Sequence, residues 1–334
     1  MSTPAALAEG LRKGDRRALA QAITLAESAL PEHQRDAREL LSLLASNEPT
    51  SFRIGITGPP GAGKSTLIEA LGSRITDQDH RLAVLTVDPS SLISGGSILG
   101  DKTRMPLLSA NEKAFVRPSP SSGIEGGVAR YTREAIALCE ASGFDRVIVE
   151  TVGVGQSELR VAEMTDIFVL MLVPAAGDEL QGIKRGVMEL ADIILINKSD
   201  GDLKAQAQRS ASECLAATGL MPSRTPGWTV PVLAISALDE TGLDEVLGEI
   251  ERFREYLLAQ KLFEPRRKTQ DLSALTDALR EGLLDQLKAD AELATQLDEM
   301  AQQVGAGRIT PRIAADELLE RFFRKTGEIG RAHV

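Results

Sequence analysis

Gly58-Pro59-Pro60-Gly61-Ala62-Gly63-Lys64-Ser65 fits GxxxxGK[ST] at every defined position. Residues of these types at this spacing grip a polyphosphate. Glycines let the main chain wrap closely with its N–H groups turned inward, and the start of the following helix adds positive dipole. Lys64 brings a point charge to the outer phosphates, Ser65 offers a hydroxyl to Mg²⁺, and Thr66 is within reach of the inner phosphate. The stretch follows a β-branched run ending at Thr57 and opens a helical pattern, which is the context the motif requires. That context argues against a glycine-rich turn that binds nothing.

Mg²⁺ needs hard oxygen ligands beside the hydroxyl. Three acids stand at or after strand-like runs. Glu150 ends Arg146–Glu150 and precedes Thr151-Val152-Gly153, where P-loop nucleoside triphosphatases place a metal-side carboxylate and a phosphate-sensing glycine. Asp is usual there, so the longer Glu is a departure. Asp88 ends the second run, and Asp101 lies in a glycine-rich loop, where it is either a metal contact or a loop cap. Asn197-Lys198-Ser199-Asp200 follows the run Ile193–Ile196. A carboxylate there accepts from both N1–H and the 2-amino group of guanine, donors that adenine does not offer together, so the spacing favours GTP over ATP. The Lys198 stem can cover the ring and Asn197 can tie this loop to the phosphate loop. Ser236-Ala237-Leu238 resembles the companion loop that meets guanine O6.

Two further loops bear on turnover. Gly153 is followed by Val154, not by the water-positioning Gln of Ras-type enzymes, and no arginine finger can be assigned. Slow hydrolysis in isolation is the expectation. The segment from Pro174 to Lys184 carries Asp178, Glu179, Gln181 and Lys184 among glycines. It is either an ordinary loop with Asp178 capping the next helix or a nucleotide-sensitive switch in which Gln181 or Lys184 reaches the phosphates.

These residues need strands to present them. Arg53–Thr57, Leu82–Val87, Arg146–Glu150, Ile167–Val173, Ile193–Asn197 and Val232–Ser236 read as strands, several of them nearly continuous Val, Ile and Leu. Helical patterns intervene at Ser65–Ile75, Glu125–Ala141, Leu180–Leu190, Leu203–Ala217 and Leu243–Leu258. The alternation predicts an α/β fold, a doubly wound and mostly parallel sheet over residues 51–262, with sites at the carboxyl ends of its strands. Residues 1–50 read as a helical extension too light for its own core, with Asp15 capping a helix over Arg16–Glu27 and another at Gln34–Leu44. Residues 263–327 read as helices. Leu272, Leu275, Leu279, Leu283, Leu287, Leu293 and Leu297 recur at helical spacing up to a break at Gly305-Ala306-Gly307, and Pro311 opens another helix. This arm either packs on its own chain or pairs with a second copy. Glu328–Val334 looks wrong for a helix end and reads as a non-native tail, because its codons can be written as a sequencing-adapter string.

Composition limits the alternatives. The 334 residues carry a net charge of −10, which disfavours wrapping nucleic acid or anionic lipid. Aromatics at 3% leave little for base-stacking platforms. The 2 cysteines, Cys139 and Cys214, have neither a CxxC spacing nor a histidine partner, so neither a disulfide scaffold nor structural zinc is expected and a reducing cytoplasm fits. The strongest apolar run, Ile167–Ala176, is about half of the ~20 residues that a membrane helix requires.

The phosphate loop, Val87-Asp-Pro-Ser-Ser91, Gly95 through Met105, Arg117-Pro-Ser-Pro-Ser-Ser-Gly123, Glu150 through Ser157, Gly177 through Lys184 and Asn197 through Asp200 occur in this order. Together they closely resemble the MeaB/ArgK family, GTPases associated with methylmalonyl-CoA mutase and related to hydrogenase and urease metallochaperones. The resemblance runs from about residue 10 to 325. It implies GTP/GDP and Mg²⁺ as ligands and an adenosylcobalamin-dependent mutase as partner, with the protein gating cofactor loading and protecting the mutase. It also implies a homodimer through the C-terminal helices. By motif, Asp88, Asp101 and Glu150 fall on the family's Mg²⁺ and switch carboxylates, while Gln181 and Lys184 fall on a third switch loop. The candidate catalytic set is thus Lys64, Asp101, Glu150, Gln181 and Lys184. A P-loop kinase acting on a transport protein or metabolite is the competing reading, though neither a second-substrate pocket nor a lid is evident. A third reading, a targeting GTPase at the membrane, finds no basic or amphipathic docking element in this sequence.

Overall fold

The computed structural model describes residues 2–45, 51–88, 105–120, 127–151, 157–174 and 185–331. Asp101, Gln181, Lys184 and the sensing segment 152–156 lie outside them, and Asp88 is described by its backbone alone. In chain order the elements are α1 Pro4–Arg12, α2 Arg16–Ala26, α3 Pro31–Leu44, β1 Phe52–Thr57, α4 Lys64–Asp77, β2 Leu82–Asp88, α5 Pro106–Ala110, β3 Ala114–Pro120, α6 Gly127–Ala141 and β4 Arg146–Thr151. There follow α7 Ser157–Ala162, β5 Ile167–Leu172, α8 Arg185–Met188, β6 Ile193–Ile196, α9 Lys204–Thr218, β7 Val232–Ala234, α10 Leu243–Ala259, α11 Phe263–Ala289, α12 Ala291–Gly305 and α13 Pro311–Arg331.

The strands form one sheet in the order β3-β2-β4-β1-β5-β6-β7, parallel at every pairing. Every residue of β4, β5 and β6 is buried, as near-continuous Val/Ile/Leu runs require when helices cover both faces. β1 sits at the centre with β4 on one side and β5 on the other, so the crevice beyond its carboxyl end is where a doubly wound sheet binds ligands. One face packs Ile54, Ile56 and Ile148 against Leu67, Ile68 and Leu71 of α4 and Val246, Ile250 and Phe253 of α10. The other packs Val147 and Val149 against Ile136 of α6 together with Leu11, Leu19, Ile23 and Leu40 of α1–α3. The N-terminal helices therefore share the sheet's core. Asp15 caps α2 as its position implies, its Oδ1 accepting from the amides of Arg17 at 2.8 Å and Ala18 at 3.3 Å.

Strand β3 is an addition to the six expected from the sequence. Pro118 and Pro120 supply no N–H and argue against a strand, yet β3 is an edge, where only one side must be paired. The helix expected over Leu180–Leu190 is described only as α8, because 175–184 lie outside the described residues.

The chain divides into two compact units, residues 1–270 and 271–334, with the division falling inside α11. Within the first unit the opening turns of α11 are pinned by Arg267, whose Nε and Nη2 donate to the Asp166 carboxylate, each at 2.5 Å, and by Gln270, which donates to the Thr165 carbonyl at 2.8 Å. Within the second, Leu287, Leu293, Met300, Ala314, Leu318 and Phe322 form a small core. The expected single helix through Leu297 is two. Asp290 ends α11 and caps α12, its Oδ1 accepting from the amides of Glu292 and Leu293 at 3.1 and 3.2 Å. Pro311 opens α13 as expected, and that helix runs on through Glu328 to Arg331.

Candidate nucleotide site

β1 delivers the chain into the phosphate loop beneath β5. A Cβ on Gly58 would lie 2.2 Å from the Met171 carbonyl oxygen, so only glycine allows the loop to leave the strand there. Gly63 is left-handed at φ +94°, and a Cβ on it would lie 2.5 Å from Asn197 Nδ2. α4 then starts at Lys64 with no side-chain cap, which leaves its first amides and its positive dipole end available to an anion. Lys64 is buried, and its ammonium donates to the carbonyls of Gly58 at 2.8 Å and Pro59 at 3.1 Å, which holds the charge against the loop. Thr66 is exposed on the first turn.

Asn197, only 3% exposed, joins this loop to the base side. Its Nδ2 donates to the Ala62 carbonyl at 2.7 Å, and its Oδ1 accepts from the Ala237 amide at 2.9 Å. One side chain thus sets the separation of the phosphate-loop motif and the 236–241 loop. Asp200 accepts from the Ser236 hydroxyl at 2.5 Å, and that hydroxyl in turn accepts from the Asp239 amide at 3.0 Å. Reciprocal bonds between Ser236 and Thr241, 3.1 and 3.0 Å, close the 236–241 loop. Lys198 stands exposed at φ +63°, and Leu238 is 78% exposed at the loop tip.

Beside the phosphate loop, Ser65 Oγ on the first turn of α4 donates to Glu150 Oε1 near the end of β4 at 3.3 Å. A hydroxyl and a carboxylate facing each other beside a phosphate loop are the hard donors that Mg²⁺ takes while keeping waters. Among the described residues, which leave out Asp101 and the Asp88 side chain, no group of three or more His, Cys, Asp or Glu is placed to hold a metal. The register Thr86↔Glu150 and Val87↔Thr151 brings Asp88 to the same end of the sheet.

The structure thus brings together Gly58–Thr66, Glu150, Asn197, Asp200 and Ser236–Leu238. A pair that motif reading passed over stands among them: Thr57 Oγ1 and Thr151 Oγ1 are 2.8 Å apart, with both residues wholly buried. Their one trace in the sequence is a hydroxyl residue ending each of two apolar strands, one just before Gly58 and one just after Glu150.

Comparison with known proteins agrees with this geometry. The family described as Methylmalonyl Co-A mutase-associated GTPase MeaB matches residues 19–292. A Mycobacterium tuberculosis protein named Probable GTPase Rv1496 is 48% identical over 314 residues, 94% of each chain. The Mus musculus protein named Methylmalonic aciduria type A homolog, mitochondrial, is 46% identical over 323 residues, 94% of this chain and 78% of that one. The crystal structure of a protein named LAO/AO transport system kinase superposes with a TM-score of 0.76 at 36% identity, covering 96% of this chain and 97% of its own. A P-loop, an NKxD loop at the end of its strand and these matches across most of the chain lead to one conclusion: the chain is a GTPase belonging to the methylmalonyl-CoA mutase-associated GTPase (MeaB) family.

Proposed function

We propose that the protein is a Mg²⁺-dependent GTP-binding and hydrolysing chaperone for an adenosylcobalamin-dependent acyl-CoA mutase, methylmalonyl-CoA mutase or a relative, whose cofactor loading it gates and which it protects, in the cytoplasm. The observation that carries the reading is the Asn197 bridge between phosphate and base loops, in a chain whose family is described by its association with that mutase. Main-chain amides at 58–66 and Lys64 hold the phosphates, and Asp200 reads the guanine edge. Ser65 and Glu150, joined by Asp88 and Asp101, would hold Mg²⁺, which would neutralise charge developing on the phosphate oxygens. Gln181 and Lys184 belong to a loop that responds to nucleotide and partner. Turnover is slow without the partner because Val154 stands where a water-positioning Gln would. Leu272, Leu275, Leu279 and Leu283, all more than 40% exposed on α11, supply the apolar seam of a homodimer. Neither nucleic acid nor membrane is a partner of so acidic a chain, and no described helix is long and apolar enough to cross a membrane.

Co-purification with cobalamin mutases under GDP and under a non-hydrolysable GTP analogue tests the reading. A mutase complex that depends on the nucleotide supports it, and indifference to nucleotide refutes the switch. The relative named as a transport system kinase keeps a second reading in the experiment. ATP preference, with phosphate found on an acceptor and not released to water, would decide for it.

A further inference from the structure

We propose that the Thr57–Thr151 hydroxyl pair is a positioning device that locks the Glu150-bearing tip of β4 to the root of the phosphate loop. The inference rests on Glu150 being a metal-side carboxylate. The backbone register between β1 and β4 runs from Phe52↔Arg146 to Ile56↔Glu150 and stops there. One residue further on, the side chains of Thr57 and Thr151 take over, joined at 2.8 Å. Side chains alternate across a sheet. Ile56 and Ile148 pack on the face that carries α4, and Glu150, in register with Ile56, meets Ser65 of α4. Thr57 and Thr151 therefore stand on the opposite face, which Val147 and Val149 share. Each strand tip is held on one face by the ion-binding residues and on the other by the hydroxyl pair.

Valine would fill the same space and suit a strand better. A wholly buried hydroxyl is costly unless it is bonded, so each threonine is tolerable because the other is present. What the pair adds over two valines is a fixed distance between the residue before Gly58 and the residue after Glu150. That distance sets how Glu150 meets Ser65, the contact on which a metal bound beside the phosphates depends.

The test uses the full chain with Thr57→Val, Thr151→Val, the double variant, Thr57→Ser and Thr151→Ser. It reads single-turnover GTP hydrolysis, affinity for a fluorescent GDP analogue with Mg²⁺ and with EDTA, and thermal melting. The valine variants should hydrolyse on the order of 10-fold more slowly, the low end of the cost of losing a group bonded to a metal ligand, since the pair acts on Glu150 through the strand and not by a bond to its carboxylate. They should lose the tightening of GDP binding by Mg²⁺ while affinity in EDTA moves less than about threefold. The serine variants should restore both, and the double variant should be no worse than either single one, because the two groups act as a unit. Valine variants that match wild type, serine variants that fail to rescue, or affinity in EDTA falling as far as the hydrolysis rate would each overturn the proposal. If Thr151→Val does not fold, Thr57→Val and the serine pair carry the same test. A wild-type chain whose GDP binding ignores Mg²⁺ sinks the metal reading and this inference with it; a Mg²⁺-responsive wild type with indifferent valine variants sinks the inference alone.

Discussion

Replacing Asn197 by alanine removes two hydrogen bonds from a residue that is 3% exposed, leaving the Ala62 carbonyl and the Ala237 amide without their partner. A buried polar group stripped of its partner costs about 1–3 kcal/mol. Two such groups set a ceiling of about 6 kcal/mol, and water reaching the loop edges brings the expectation to about 3 kcal/mol. Both groups lie in loops, at the end of the phosphate loop and beyond β7, not inside the strand ladders. The separated loops therefore resolvate in the free protein and must be brought back into place by the nucleotide. The cost then falls on binding, and about 3 kcal/mol weakens GDP by about 100-fold. Displacement of a fluorescent GDP analogue measures this, with melting of the free chain followed in parallel. Asn197→Asp sharpens the test. It keeps an acceptor for the Ala237 amide but sets a negative charge against the Ala62 carbonyl, so it should bind no better than the alanine variant. GDP affinity within about threefold of wild type for Asn197→Ala, with melting unchanged, would refute the reasoning. A melting loss with unchanged affinity would show that the bridge serves folding instead.

Asp200→Asn should remove the preference for guanine over adenine nucleotides by at least about 100-fold, since an amide cannot accept from both guanine donors while leaving ATP affinity as it was; a variant still selective for GDP over ADP would contradict the assignment of the base reader. Burial alone would raise the Glu140 carboxyl, but hydrogen bonds from Arg53 at 2.7 and 2.8 Å, another from Ser51 and the charge of Arg267 at 3.5 Å outweigh it and hold the group below the ordinary carboxylate range. A lowered folded-state pKa stabilises at pH above the unfolded value of about 4.3 and is lost as pH falls through the folded value. Glu140→Gln should therefore melt lower at neutral pH and lose less on acidification below about pH 4, and an unaltered acid slope would count against it. Leu279→Glu with Leu283→Glu should turn a dimer into a monomer by light scattering while GDP affinity is retained; a dimer that survives both charges would place the seam elsewhere.

Much of the candidate nucleotide site is legible in the sequence because each part of it is a local pattern. The phosphate loop is eight consecutive residues whose glycines answer steric demands, at Gly58 against Met171 and at Gly63 against Asn197. Asp200 and Asn197 follow a strand recognisable from four buried apolar residues. β4, β5 and β6 were visible for the same reason, as strands covered on both faces are apolar throughout. β3 was not, because its prolines count against a strand unless its place at the edge is known. The break at Asp290 was hidden by leucines that keep helical spacing across it, since periodicity records which residues are apolar and not where one carboxylate intercepts two amides.

Residue order alone thus carries the motifs: a phosphate-loop pattern, an NKxD loop and carboxylates after strands, each specified by neighbours a few positions apart. What folding added was distance between segments remote in the chain. Ser65 meets Glu150 and Thr57 meets Thr151 because β4 and β1 are neighbours in the sheet, and Asn197 meets Ala62 and Ala237 because β1, β5, β6 and β7 follow one another across it. Strand order and register arise from burying the two apolar faces together, a property of the whole core that no short stretch of sequence contains.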